Sequence, residues 1–276
     1  MENFDYDLYY KSKSSVEIEF LKFVCKIKSD YLNELIDSKN FTIAEIGTGA
    51  GHVLNNLKNT GLKFGLDISY EALKQQMDNY FTKTGDFNLL DKFKFDNLYE
   101  KPINKEDIKN GLKNRNIIND KERSLFLIKI DAEKGLPFEE NVLDYVLLCD
   151  ILEHVIDPIK LLIYSKKIGR KLVVKIPIEN ALLPKLALKL NNIKYGVEHP
   201  SGHLFCWNYK QIMQIINKAN LKVSKYKLRC FDYYTSKKKN PIKFLVVNFF
   251  SFLDLIFKTN KISLFFIGGN FYGILE

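Results

Sequence analysis

The stretch that most constrains the fold is FTIAEIGTGAGHVLNNL, Phe41 to Leu57. An apolar, β-favouring run leads to Glu45, and three glycines then alternate with small residues before a helical pattern begins. Where a strand turns sharply into a helix, glycines permit positive φ and let the backbone approach a ligand closely. Doubly wound sheets bind nucleotides at this crevice. A dinucleotide fingerprint, G-x-G-x-x-G, would need its third glycine where His52 stands. The pattern is instead E-x-G-x-G-x-G, through Glu45, Gly47, Gly49 and Gly51. A carboxylate at the strand end repels a pyrophosphate and welcomes an ammonium, so a ligand with a cationic amino-acid end suits this loop better.

The surrounding periodicity supports a layered sheet. SSVEIEFLKFVCKIKSDYLNELID spaces its apolar residues mostly three or four apart from Phe20 onward, which predicts an amphipathic helix within a helical lead-in over residues 1–40. FTIAEIG reads as a buried strand, HVLNNLKNTG as a helix closed by Gly61, and KFGLDIS as a second strand. A helix capped by Ser69 runs to Tyr80. Strand and helix alternating at this spacing argue for parallel pairing with right-handed crossovers. From 81 to 123 the chain is polar and rich in Lys and Asn, and reads as an insertion with a short helix at most. SLFLIKIDAE, DYVLLCD and RKLVVKIPI continue the strands, with a helix over IDPIKLLIYSKKIG. NYKQIMQIINKAN is a further helix, and LKVSKYKLRCF and SLFFIGGNFYGILE supply the last strands. The expectation for 41–276 is one α/β domain, a doubly wound, Rossmann-like, seven-stranded and mostly parallel sheet with helices on both faces and an antiparallel final hairpin.

Composition narrows the class. The net charge of +9 invites a nucleic-acid reading, but only four of 42 cationic side chains are arginine, the usual residue for bidentate phosphate and base contacts. The lysines therefore read as compositional bias or as a diffuse attraction to anionic lipid or RNA. MENFDYDLYYKSKSS is polar and acidic where a secretory leader needs a basic and then an apolar run. Cys25, Cys149, Cys206 and Cys230 form no C-x-x-C pair and read as reduced thiols. A cytoplasmic protein is expected, with peripheral contact at the inner membrane face left open by one segment. That segment, NPIKFLVVNFFSFLDLIFKTNK, predicts a helix over about 241–258 with polar residues on one narrow arc. Its wide apolar face packs on the core, lies on a membrane surface or covers an apolar substrate.

With these features the chain resembles the class I S-adenosylmethionine-dependent methyltransferases. The resemblance runs from Ala44 to about Leu221 apart from the insertion, and four ordered motifs carry it. It implies S-adenosylmethionine as cofactor, with Glu45, Gly47, Thr48, Gly49 and Gly51 at the methionine end. Asp67 and Ile68 in GLDIS would meet the ribose, and Asp131 and Ala132 in IKIDAEKGLPF the adenine. Asp150 and Ile151 in FEENVLDYVLLCDILEHVIDP would flank the methionine portion. GHLFCWNYKQIMQIINKANL is similar to the segment before the family's last helix, with Asn220 where the family commonly has glycine.

The chain has four histidines, His52, His154, His199 and His203, of which His52 reads as structural. Asp150, Glu153 and His154 are spaced i, i+3, i+4, so one helical turn would set them on one face beside the cofactor. In one reading His154 is a general base or orients the substrate, Glu153 fixes its tautomer and His203 joins them. In another, Asp150, Glu153, His154 and His203 surround a divalent metal. DILEHV with the later GHLFCW resembles the metal-binding pattern of small-RNA 2′-O-methyltransferases, though Asp150 has a shorter reach than the glutamate there. A third reading is a helix N-terminus with a surface histidine. The expected function is methylation of an oxygen on a small-molecule, glycan or lipid-linked acceptor. The alternatives are a metal-dependent RNA 2′-O-methyltransferase and a catalytically inactive cofactor-binding partner subunit.

Overall fold

The structure is a computed structural model that describes residues 4–80, 101–110, 118–120, 124–190, 202–230, 241–256 and 261–276. His199, most of the expected insertion and the last two residues of the expected apolar helix lie outside the described residues. The chain opens with helices α1 (Tyr6–Lys11) and α2 (Ser15–Leu35). Strands β1 (Phe41–Ile46) and β2 (Thr60–Asp67) follow, then α3 (Tyr70–Tyr80), α4 (Lys105–Lys109), β3 (Ile118–Asp120), β4 (Leu125–Lys129) and β5 (Leu143–Cys149). Next come α5 (Pro158–Ile168), β6 (Gly169–Ile178), α6 (Leu182–Leu190), α7 (Tyr209–Lys218) and β7 (Val223–Cys230). The chain ends with α8 (Pro241–Ile256), α9 (Lys261–Phe266) and β8 (Gly269–Leu275).

The strands form one sheet in the order β3-β4-β2-β1-β5-β6-β8-β7. β4, β2, β1, β5 and β6 run parallel, and β8 pairs antiparallel with both β6 and β7. This is the expected seven-stranded, mostly parallel sheet, to which the three-residue β3 adds an antiparallel edge on β4. Strand residues alternate between faces, and each face carries its own core. Leu32, Ile43, Leu73, Leu147 and Val173 pack on the α2–α3 side. Ala44, Phe64, Val146, Val174, Ile212 and Ile216 pack on the α5–α7 side.

Local signals set the helix ends. Ser14 and Glu17 form a capping box on α2, and Asn208 and Gln211 form one on α7. Ser69 caps α3 as expected, its hydroxyl oxygen accepting from Ala72 N at 3.1 Å. Asn220 adopts φ 57°, the left-handed conformation that a glycine would take after α7. Within the expected insertion, Ile103 is fully buried and bridges to Phe138, and Asn104 and Asp107 box the start of α4.

One expected helix does not form. After the glycine run the chain makes only a single 3-10 turn, Leu54–Asn56, before β2 begins at Thr60. The side-chain amides of Asn55 and Asn56 donate to the carbonyls of Gly51 and His52, and the Gly51 carbonyl also accepts from Asn55 N at 3.0 Å. Asn59 then turns left-handed at φ 58°.

Phe64 in β2 is fully buried, stacked on Phe126 at 5.1 Å and edge-on to Phe138 at 5.2 Å. Phe64→Ala should cost about 4 kcal/mol, read as a lower urea midpoint at an unchanged slope. A loss below about 1 kcal/mol would contradict this packing.

Candidate functional site

Period-two alternation along β1 and β6 puts Glu45 and Lys175 on the sheet face that α2 covers, at the carboxyl ends of the parallel strands. Glu45 is buried, and its Oε2 accepts from Thr48 Oγ1 and Leu54 N, both at 3.1 Å. Burial pushes its carboxyl up to about 8, although these hydrogen bonds pull the other way. The acid before the glycines therefore ties down both sides of the loop. Asp67, at the end of β2, accepts from Gly49 N on Oδ2 and from Ser69 N on Oδ1, each at 2.8 Å. Burial raises it to about 6 against those bonds.

The glycines divide their roles. Gly49 has φ +54°, and a Cβ there would lie 2.5 Å from the Tyr10 hydroxyl, so it permits close approach over the loop. Gly51 has φ +75°, and its Cβ would collide with the Gln76 amide at 2.3 Å. Gly51 serves packing against α3 and does not line the cleft. Every other expected cofactor contact, from Glu45 through Asp67, Asp131 and Ile151, lines a single cleft of about 470 Å³. Asp131 accepts from Glu133 N at 3.1 Å and lies 3.4 Å from Lys134 Nζ. His52 is buried against Tyr80, its Nδ1 2.7 Å from the phenol oxygen, and burial lowers it to about 4.

Asp150 departs from the expected cluster. It sits at φ 54° directly after β5, and its carboxylate is clamped by Lys175 on Oδ1 and by Lys28 on Oδ2, the latter at 2.5 Å. Burial opposes its ionisation, but Lys175 and then Lys28 hold the carboxyl well below the usual carboxylate range. Asp150 is left-handed and lies before the three-residue 3-10 turn Leu152–His154, so it does not share a helical turn with Glu153 and His154 and the expected i, i+3, i+4 face does not form. Glu153 instead points inward and is fully buried behind the cleft. Neither of its oxygens has a hydrogen-bond partner among the described residues. Burial, reinforced by the Asp150 charge, pushes it up to about 8.

His154 and His203 do line the cleft, their rings edge-to-face at 4.8 Å. The tautomer of His154 is set by Gly202 rather than by Glu153: Nδ1–H donates to the Gly202 carbonyl at 3.2 Å, leaving Nε2 as an acceptor. Burial, with the nearby His203, lowers His154 to about 4. His203 Nδ1 lies 2.8 Å from Glu179 Oε2. Burial works against its charge, yet the Glu179 hydrogen bond and the surrounding carboxylates keep it above its ordinary value. Glu153, His154 and His203 each bring a ligand-type atom within 4.8 Å of the others, and Asp150 stands outside that group.

Several cleft residues escaped the sequence reading. α1 lies over the cleft, with Tyr6, Tyr9 and Tyr10 lining it. It is pinned by Asp7, whose Oδ1 accepts from Ser69 Oγ at 2.5 Å and from Glu71 N at 3.0 Å. Gln75 Nε2 donates to the Tyr10 carbonyl at 3.1 Å. Tyr6 meets the His154 ring at 6.1 Å, and burial pushes its phenol up to about 12. Lys175 had a visible signal, a cation inside the apolar strand LVVKIPI. The tyrosines had none, because a short N-terminal helix reveals nothing about where it folds back.

Buried carboxyls held up in the native state contribute stability that is full below their unfolded range and lost as pH rises through the folded value. Glu45 and Glu153 at about 8 and Asp67 at about 6 place that window between roughly pH 4 and 8. The ligand-free protein should lose thermal stability across this window, and Glu153→Gln should flatten the slope. A melting temperature that rises from pH 5 to 8 would contradict the buried placement. Lys175→Met leaves Asp150 facing one lysine and should cost about 3 kcal/mol in urea unfolding. An unchanged midpoint would show that the clamp contributes nothing.

No protein-family model matches the chain, and no curated protein matches its sequence. Solved structures do match. The protein bound to the Trm112 methyltransferase activator in a Haloferax volcanii complex is 13% identical, with 100% of this chain and 98% of that chain covered at a TM-score of 0.59. The magnesium protoporphyrin IX methyltransferase of Synechocystis PCC 6803, solved with bound S-adenosylhomocysteine, is 9% identical over 96% and 88% of the two chains, at 0.53. The cyclase SpnF is 12% identical over 91% and 80%, at 0.51. Glycine loop, strand order and antiparallel closing hairpin together make this the fold of the class I S-adenosylmethionine-dependent methyltransferases.

Proposed function

We propose that the protein is an S-adenosylmethionine-dependent methyltransferase that acts on an oxygen of a small-molecule, glycan or lipid-linked acceptor. Because the same fold is found in a cyclase, the reading rests on the site. The observation that carries it is Glu45, a buried carboxyl beside the bare backbone of Gly47 and Gly49, at one end of a cleft that Asp67 and Asp131 continue. A buried carboxyl raised to about 8 has much to gain from a cation. Glu45 and Gly47 would hold the aminoacyl end of the cofactor. Asp67 keeps free lone pairs beyond its two backbone bonds for ribose hydroxyls, and Asp131 would meet the base.

When bound, the cofactor supplies a methyl group on a cationic sulfur. The protein's task is then alignment, exclusion of water and, for a hydroxyl acceptor, removal of one proton. His154 suits that last step, because its donor nitrogen is spent on Gly202 and Nε2 is left as the acceptor. His203 and Tyr6 pack on the His154 ring and restrain it. Glu153 lies behind the wall, where its main-chain carbonyl accepts from Leu204 N at 2.7 Å and holds the segment that carries His203. The α1 tyrosines line the cleft and would help to exclude water from the reacting end.

Calorimetry should show S-adenosylhomocysteine binding that tightens as pH rises towards 8 and releases a proton near pH 7, as Glu45 ionises against the ligand's ammonium. Glu45→Gln should abolish the proton release and weaken binding by about tenfold or more. Well-folded protein that does not bind would sink the assignment. In a methyl-transfer screen against cell extract, His154→Ala should lower kcat by about 100-fold or more with cofactor affinity unchanged. Equal activity would remove His154 from the chemistry.

One observation favours a second reading, metal-assisted transfer. Glu153, His154 and His203 lie within ligand reach of one another, Glu153 has two orphaned oxygens, and each histidine is oriented through Nδ1 by an oxygen acceptor. Glu153, His154 and His203 would hold a divalent ion, which would polarise an acceptor hydroxyl. A chelator should then abolish turnover and added ion restore it, whereas indifference to the chelator leaves His154 as the base.

A further inference from the structure

The carboxyl edge of the sheet carries a second feature, separate from the cleft. α6 leaves β6 immediately beyond Ile178, and α8 and α9 lie between Cys230 of β7 and Gly269 of β8. Those three strand ends are aligned, Ile178 with Gly269 and Gly269 with Cys230. All three helices therefore attach at the sheet edge that holds the cleft, and α6 starts just after Glu179, the partner of His203. α9 packs against both α6 and α8, and Phe250 stacks on Phe266 at 4.8 Å. Asp254 is buried in the α8–α9 hairpin and accepts from Ile262 N and Ser263 N, so the hairpin is internally fixed.

The outward sides of these helices are apolar. Leu190 and Leu255 are 74% and 75% exposed, Phe249, Phe252 and Phe265 are more than half exposed, and Leu186 about half. On α8, Leu245, Phe249, Phe252 and Ile256 repeat at helical spacing, so the exposed residues form a stripe. The charges around them have one sign. Among the described side chains of the three helices, Lys185 and Lys189 are exposed, and the one acid, Asp254, is the buried cap. A second copy of this chain would bring lysines against lysines. No helix among the described residues is long and apolar enough to cross a membrane.

We infer that the α6–α8–α9 face seats the protein on the surface of a bilayer containing anionic lipid. Its phenylalanines and leucines enter the headgroup boundary, and its lysines meet the anionic headgroups. The cleft then opens beside the lipid surface, from which an amphipathic acceptor can enter. This docking goes beyond methyl transfer and does not require it, and vesicle binding reads it without any turnover.

The test is co-sedimentation of the full chain with vesicles of phosphatidylcholine, with and without phosphatidylglycerol. The protein should pellet with the anionic vesicles, less with the neutral ones, and less again at high salt. Phe249→Glu with Phe252→Glu should lower the partition coefficient by about tenfold or more, with the circular dichroism melt retained. Lys185→Glu with Lys189→Glu should remove the preference for anionic lipid. Protein that stays in the supernatant overturns the inference, as do variants that bind like the parent. It is also overturned if sedimentation velocity shows a dimer that the phenylalanine variant dissolves, because the face would then join two copies.

Discussion

The clamp of Asp150 between Lys28 and Lys175 organises the cleft. Asp150 directly follows β5, Lys175 belongs to β6 and Lys28 to α2, so one carboxylate joins two central strands to the helix that covers them. Burying an ionised carboxylate is costly unless it is paired, and here two ammonium groups share it. The clamp ties α2 to the cleft, while α1 is held over it by α3 through Asp7 and Gln75. Because Asp150 remains charged, its field helps to keep Glu153 neutral. Asp150 is thereby committed, and among the described residues Glu153, His154 and His203 remain as a group.

Burial assigns different roles to acids of similar type. Glu45 and Asp67 both spend hydrogen bonds on the glycine loop, one from beneath and one from the side, so the loop is shaped before a ligand arrives. Preorganisation of this kind reduces the ordering cost of binding. Both carboxyls are raised by burial and stand beside the places where a cationic amino-acid end and ribose hydroxyls would sit. Apolar helices attach at the same sheet edge as the cleft.

Much of this was legible in the sequence because it depends on local rules. Strand, turn and cap signals placed β1, β5, β6, α2, α3 and α7 close to where they form, and the helix over 241–256 follows from its apolar run. The strand–glycine–acid order located the cleft floor. The helix expected after Gly51 gives way to a 3-10 turn followed by the left-handed Asn59, and apolar spacing does not report a backbone reversal of that kind.

The remaining features depend on residues far apart in the chain. Lys28 lies 122 positions from Asp150, Asp7 lies 62 from Ser69, and His203 reaches Glu179 across 24. No periodicity encodes such meetings, because they arise only when helices dock on a sheet whose strand order differs from chain order. By itself the sequence determined the layered α/β fold, the position of the glycine loop and the acids at the strand ends, since strand alternation and turn chemistry act within a few residues. Only the tertiary structure decided that Asp150 is held by lysines, that Gly202 orients His154 and that three tyrosines roof the cleft. Each of those outcomes turns on which charges and rings burial brings within reach of one another.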